Sequence, residues 1–121
     1  MGILLFHMNV FKQNSIFRLC KDLEIDVRAV PDQDLGKTIG EIAGMPLLSK
    51  PGTGAGKPVP FADEMMVLCG LEPDLLDRFL EEYRRREISP VGLKAVMTPF
   101  NAKWTPGRLC MELKKEQNSL G

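Results

Sequence analysis

The stretch that decides the fold is residues 65–113, which read MMVLCGLEPDLLDRFLEEYRRREISPVGLKAVMTPFNAKWTPGRLCMEL. It opens with a short apolar run, MMVLC at 65–69, of the kind found in strands that are covered on both faces. A second run, LKAVM at 93–97, has the same character. Each run is followed by a segment with helical features, so the stretch predicts strand, helix, strand and helix in that order.

The two helices of this stretch have clear start signals. Pro73 can occupy the first helical position after Glu72, and the apolar residues that follow recur at helical spacing as far as Tyr83. Thr105 can cap the last helix, with Pro106 again at the first position inside it. Both helices are therefore predicted to begin at a proline.

The first half of the chain resembles a looser copy of this plan. ILLFH at 3–7 and DVRAV at 26–30 predict two more strands, and Asn9 can cap a helix between them. Asp34 is a candidate N-cap for a weaker helix that ends near Ala43. The correspondence between the halves predicts a degenerate internal duplication of a β-α-β-α unit.

These units predict an α/β fold. Each β-α-β connection crosses over right-handed, so two units form a four-stranded sheet, parallel within each half, with helices packed on it. How the two halves join is left open. The predicted organisation is a single domain, 1–121, made of an N-terminal unit at 1–45, a proline- and glycine-rich linker at 46–61 and a C-terminal unit at 62–121.

Composition excludes several classes of protein. Sixteen basic and sixteen acidic side chains cancel, so no overall charge draws the chain to nucleic acid or to an anionic membrane. The three cysteines (Cys20, Cys69 and Cys110) are widely spaced and His7 is the single histidine, which argues against a disulfide framework and against a zinc site. The opening residues are too short an apolar run for a signal peptide or a membrane span. We expect a cytoplasmic protein with no metal and no cofactor.

The linker contains a motif that suggests phosphate binding. GTGAGK at 52–57 resembles a phosphate-binding loop, but Pro51 stands where that motif needs glycine and Pro58 where it needs serine or threonine. No strand precedes the motif and no helix follows it. We interpret it as part of the linker.

Five residues are candidates for a ligand-binding site: His7, Cys69, Asn101, Trp104 and Thr105. They follow or end predicted strands, and ligands in open α/β sheets usually bind at the carboxyl edge of the strands. The alternative is structural, because a buried cysteine, a turn-forming asparagine and a capping threonine explain the same residue types. No catalytic residue can be assigned.

A run of three arginines, at 84–86, could form a basic patch with Lys94, Lys103 and Arg108. Glutamates flank the run at helical spacing, which favours a solvated helix end over a nucleic-acid site. Binding to nucleic acid is therefore an unfavoured hypothesis.

The C-terminal half resembles an uncharacterised bacterial family that carries a domain-of-unknown-function label, number thirty-seven eighty-three. The resemblance rests on Cys69 and Gly70 at a strand end, on LKAV at 93–96 and on the spacing of threonine, asparagine and tryptophan at 98–105. It implies a bacterial, cytoplasmic setting and brings no activity, cofactor or catalytic residue with it.

The function stays unknown at this level, and two hypotheses compete. The first is a non-enzymatic binding or protein-interaction module that self-associates or serves a larger partner; seven methionines could furnish an adaptable apolar surface. The alternative is a small enzyme or ligand sensor with its site at the C-terminal edge of the sheet. No small molecule can be assigned to either.

Overall fold

The computed structural model describes residues 2–44 and 59–120 of the chain. The GTGAGK motif and most of the predicted linker lie outside these residues. The helices and strands, in chain order, are β1 Gly2–Phe6, α1 Val10–Asp22, β2 Asp26–Ala29, α2 Ile39–Ile42, β3 Met65–Cys69, α3 Pro73–Arg85, β4 Leu93–Val96 and α4 Pro106–Leu120. None of the helices in the described ranges is both long enough and apolar enough to cross a membrane.

The strands form one sheet in the order β2-β1-β3-β4. β1 and β2 pair in parallel, and so do β3 and β4. The halves join through β1 and β3, which run antiparallel with Gly2 opposite Cys69 and Phe6 opposite Met65. The predicted α/β class and four-stranded sheet with packed helices are confirmed, and the sheet as a whole is mixed.

Both faces of the sheet are covered, because successive strand residues point to opposite sides. Ile3 and Leu5 of β1 pack with α1 and α3, where Ile16 and Phe79 are fully buried. Leu4 and Phe6 pack with residues of α2 and α4 on the opposite face, including Ile39 and Leu109. The molecule therefore has three layers, with the sheet in the middle.

The predicted helix starts are confirmed at three places. Asn9 caps α1, and its side chain accepts a hydrogen bond from the Lys12 N–H. α3 begins at Pro73 and α4 at Pro106. The Thr105 hydroxyl accepts a bond from the Arg108 N–H at 3.4 Å.

The interpretation of Asp34 as a helix cap is wrong. Asp34 ends a short 3₁₀ turn, and α2 begins later, with Thr38 as its N-cap. The Thr38 side chain accepts from the Glu41 N–H, and the Glu41 side chain accepts from the Thr38 N–H. This reciprocal capping box satisfies two N–H groups at once, which a lone aspartate does not.

An ion pair links the two halves beside the β1–β3 junction. Lys12 Nζ of α1 lies 2.6 Å from Glu64 Oε1, next to β3, and also donates to the Pro90 carbonyl at 3.1 Å. The Asn9 N–H donates to the second oxygen of Glu64 at 3.1 Å. These bonds lower the pKa of Glu64, chiefly through the contact with Lys12. α1 is thus tied to the segments that precede β3 and β4.

Candidate functional site

The structure does not bring the five candidate residues together. β1 and β3 are antiparallel, so the carboxyl end of one strand lies beside the amino end of the other. Cys69 pairs with Gly2, and His7 stands five residues further along the chain, about 17 Å away at the rise of a strand. A single site that includes both does not form, because the halves join antiparallel.

Cys69 lies inside the core. Its thiol donates to the Val67 carbonyl at 3.9 Å, and the residue is 2% exposed. Burial raises the pKa of the Cys69 thiol to about 11. The thiol stays protonated at neutral pH and is therefore a poor nucleophile or metal ligand.

Asn101, Trp104 and Thr105 lie in the connection from β4 to α4, where their polar groups bind the chain itself. Asn101 Oδ1 accepts from the Thr98 N–H at 2.8 Å, and Asn101 Nδ2 donates to the Val96 carbonyl at 3.0 Å. The Trp104 carbonyl accepts from the Ile39 N–H at 2.9 Å. Thr105 is buried and caps α4. These contacts match the structural alternative for Asn101 and Thr105, and Trp104 packs against the cluster that contains Leu109.

His7 has polar neighbours at the carboxyl end of β1, away from Cys69. Its Nε2 lies 3.2 Å from Asp32 Oδ1, and its Nδ1 lies 3.4 Å from the Asp63 carbonyl oxygen. The Phe61 ring packs edge-on against the imidazole at 4.6 Å. Both polar neighbours are acceptors, so both contacts are hydrogen bonds only when the ring carries two protons. The described part of the chain contains no group of three or more histidine, cysteine or acidic residues that could hold a metal ion.

A different feature, the edge of the sheet along β4, has unused hydrogen-bonding groups. The Met97 N–H donates to the Leu68 carbonyl of β3 at 2.9 Å. Backbone groups alternate in direction along a strand, so those of Lys94 and Val96 face away from β3. Asn101 already occupies the Val96 carbonyl. The Lys94 N–H, the Lys94 carbonyl and the Val96 N–H have no partner within residues 2–44 and 59–120.

A groove lies beside this edge, between α3 and β4. We call it the β4 groove; its volume is about 420 Å³. Its apolar wall consists of Met66, Phe79, Leu80, Tyr83, Ile88 and Pro90. The Tyr83 hydroxyl donates to the Ser89 carbonyl at 2.6 Å, and burial, with the nearby Glu64 charge, raises its pKa to about 12. The phenol therefore adds no negative charge to the groove at neutral pH.

Two cations complete the lining of the β4 groove. Lys94 and Arg84 are exposed at its rim, and neither forms an ion pair in the described ranges. The other two arginines of the run differ from Arg84: Arg85 bonds to Glu82, and Arg86 bonds to both Glu82 and Asp22. All three arginines are exposed, which fits the predicted solvated helix end, and Arg84 also lines the groove.

Sequence reasoning missed this groove. The sequence suggests a basic patch that contains both Lys94 and Arg108. In the structure Arg108 stacks over the Trp104 ring at 4.7 Å instead of lining the groove with Lys94. The one local signal was a lysine between apolar residues in a short strand, a common way of protecting an exposed sheet edge. The groove itself depends on where α3 lies relative to β4, which no local pattern encodes.

The fold and the β4 groove define a small three-layer α/β domain with a sheet edge that no other strand of the described ranges covers. Residues 64–120 match the family model described as Domain of unknown function (DUF3783), which confirms the resemblance seen in the sequence. The match covers β3, α3, β4 and α4, and so includes the whole β4 groove. No curated protein and no solved structure matches the chain.

Proposed function

We propose that the protein is a non-enzymatic interaction module whose β4 edge binds an extended segment of a partner protein. The observation that supports this most is the coincidence of three unused backbone groups with an apolar groove. Strand addition needs both features, since main-chain hydrogen bonds supply affinity and a pocket beside the edge selects side chains. The enzyme alternative lacks comparable support, because His7 and Cys69 lie apart.

Exposed apolar surface supports the same proposal. The Val96 side chain is 53% exposed on the edge strand. It lies on the same face of β4 as Lys94, two residues away, and therefore on the face that carries the groove. An added strand would cover Val96, which transfers apolar surface out of water.

A second copy of the chain is a weaker candidate for this edge. Two-fold dimers that pair identical edge strands do so antiparallel, and residues then exchange both N–H and C=O bonds. Asn101 already uses the outward carbonyl of Val96. A symmetric pair centred on Val96 would have to compete with that amide, and one centred on Lys94 would place two lysines directly opposite each other, which is destabilising.

The proposal includes the setting and the architecture. All three cysteines are free and buried, which supports a reducing compartment such as the cytoplasm. The order β2-β1-β3-β4, with the same strand–helix sequence in each half, supports an internal duplication related by a pseudo-two-fold axis between β1 and β3.

The test is an NMR titration with a short neutral peptide of alternating threonine and valine. We expect the amide signals of Lys94 and Val96 to shift more than those on β2. Lys94→Pro removes an outward N–H but no bond to β3, and should weaken binding about tenfold. Lys94→Gln, which keeps the N–H, is the matched control and should still bind. Shifts that avoid β4, or equal binding by the proline variant, would refute strand addition.

A further inference from the structure

The cations of the β4 groove identify the chemistry of its occupant. Among the described residues that line it, Lys94 and Arg84 are the two charged ones, and none carries a carboxylate. Both stand beside an apolar wall, where a cation gains more from an opposite charge than it does in open solvent. The groove therefore favours a segment that brings both apolar and acidic side chains.

We infer that the occupant is an extended segment of a partner protein with an acidic residue beside Lys94 and an apolar residue beside Val96. This rests on the proposed function of the β4 edge. Lys94 and Val96 lie on one face of β4, so their two neighbours in an added strand are also separated by one residue. The recognised pattern is an acidic residue and an apolar residue separated by one residue.

The backbone of β4 offers three hydrogen bonds to this segment. In a parallel pair, one residue of the added strand bonds to the Lys94 carbonyl and to the Val96 N–H, and the Lys94 N–H takes a third bond. An antiparallel strand uses the same three groups, because one of its residues pairs with both groups of Lys94 and another accepts from the Val96 N–H. All three groups are unused in the described part of the chain. The Val96 carbonyl, to which Asn101 Nδ2 donates at 3.0 Å, is the remaining outward group in both cases. The segment therefore gains three backbone bonds in either direction.

Two other occupants fit the charge less well. Residues 45–58 of the chain itself contain Lys50 and Lys57 and no acidic residue, so they do not complement Lys94 and Arg84. Nucleic acid offers phosphates, but the wall of the groove is apolar and Arg85 and Arg86 are held by their own carboxylates. A protein segment with mixed apolar and acidic character complements both parts of the groove.

The test compares three short peptides by fluorescence anisotropy. In each, threonine alternates with one variable residue followed by two valines, and the variable residue is glutamate, glutamine or lysine. We expect the glutamate peptide to bind roughly fivefold more tightly than the glutamine peptide, as exposed ion pairs do, and the lysine peptide to bind most weakly. Lys94→Glu combined with Arg84→Glu should reverse the order of the glutamate and lysine peptides.

Arg85→Glu is the matched control, because it makes the same charge change on the same helix outside the groove. It should leave the order of the three peptides unchanged. Equal affinity for the glutamate and glutamine peptides would overturn the acidic preference while leaving strand addition intact, whereas no binding of any peptide would overturn both. An oligothymidylate that bound more tightly than the glutamate peptide would also overturn the inference.

Discussion

The two edges of the sheet differ although the two halves share one plan. At the β2 edge the cation is used by the chain: Arg28 donates to Asp34 at 2.8 Å and to the Ile42 carbonyl at 3.2 Å. At the β4 edge, Lys94 has no such partner in the part of the chain that the structure describes. The second half therefore departs from the first at its edge strand.

The register of the sheet makes this comparison specific. Ile3 of β1 pairs with Val27, which packs against the core, whereas Met66 of β3 pairs with Lys94, which is exposed at the groove. The next positions on the same face are Ala29 and Val96. Corresponding places thus carry a packed apolar residue on one edge, and a cation with an exposed valine on the other.

The largest expected effect comes from breaking the ion pair between Lys12 and Glu64, which links the two halves. Glu64→Ala leaves Lys12, whose side chain is 7% exposed, without its carboxylate. Removing one member of a buried pair costs about 3 kcal/mol. We expect that loss in the free energy of unfolding by urea at neutral pH, with Lys12→Met, which removes the buried charge, as the milder control.

The same ion pair predicts that the free energy of unfolding falls at acid pH. The pKa of Glu64 is lowered from 4.5 by its bond to Lys12, so the folded state favours the ionised carboxylate. The stabilisation is complete above pH 4.5 and disappears as the pH falls through the lowered pKa. The difference between wild type and Glu64→Ala should shrink in that acid range; a gap that stays constant would show that the ion pair contributes nothing.

A smaller effect is expected at the side chain that bonds to the Val96 carbonyl. Asn101→Ala leaves the Thr98 N–H and the Val96 carbonyl without their partner, which should cost about 2 kcal/mol. Asn101→Asp keeps the acceptor for Thr98 and should lose less. Thermal unfolding of the two variants measures the difference, and an alanine variant as stable as wild type would mean that the bonds of Asn101 contribute nothing to stability.

Local features of the fold could be predicted from the sequence. Helix starts at Asn9, Pro73 and Pro106 were predictable because a cap and its first turn are local. Thr38 was also readable, since Glu41 completes a capping box three residues later, but Asp34 offered an equally familiar signal. The bounds of β3 followed from an apolar run that needs cover on both faces.

What the sequence could not predict depends on contacts between distant segments. Because β1 and β3 pair antiparallel, His7 and Cys69 lie at opposite ends of the paired strands. The sequence of neither strand indicates the direction of the strand that pairs with it. The β4 groove likewise requires the placement of α3 beside Lys94. The five candidate residues do not form one site, because the pairing between the halves decides which residues lie together and no local motif encodes that pairing.

The smallest expected effects contrast the edges directly. Arg28→Ala should destabilise the protein by about 1 kcal/mol, because it removes a charged hydrogen bond to a nearly buried Asp34 and one to Ile42. Lys94→Ala should change stability by less than about 0.5 kcal/mol, as expected for an exposed residue with no partner. Urea unfolding of both variants tests this. Equal losses would remove the distinction between a cation that the chain itself binds and a cation that lines the groove.

Amide hydrogen exchange along β4 tests the central claim most directly, because neighbouring residues report opposite sides of one strand. In the protein without any peptide, the N–H groups of Ala95 and Met97 should exchange on the order of a hundredfold more slowly than those of Lys94 and Val96. Such alternation is the result expected of an open edge. Equal protection of all four amides would contradict it and would mean that the edge is already covered.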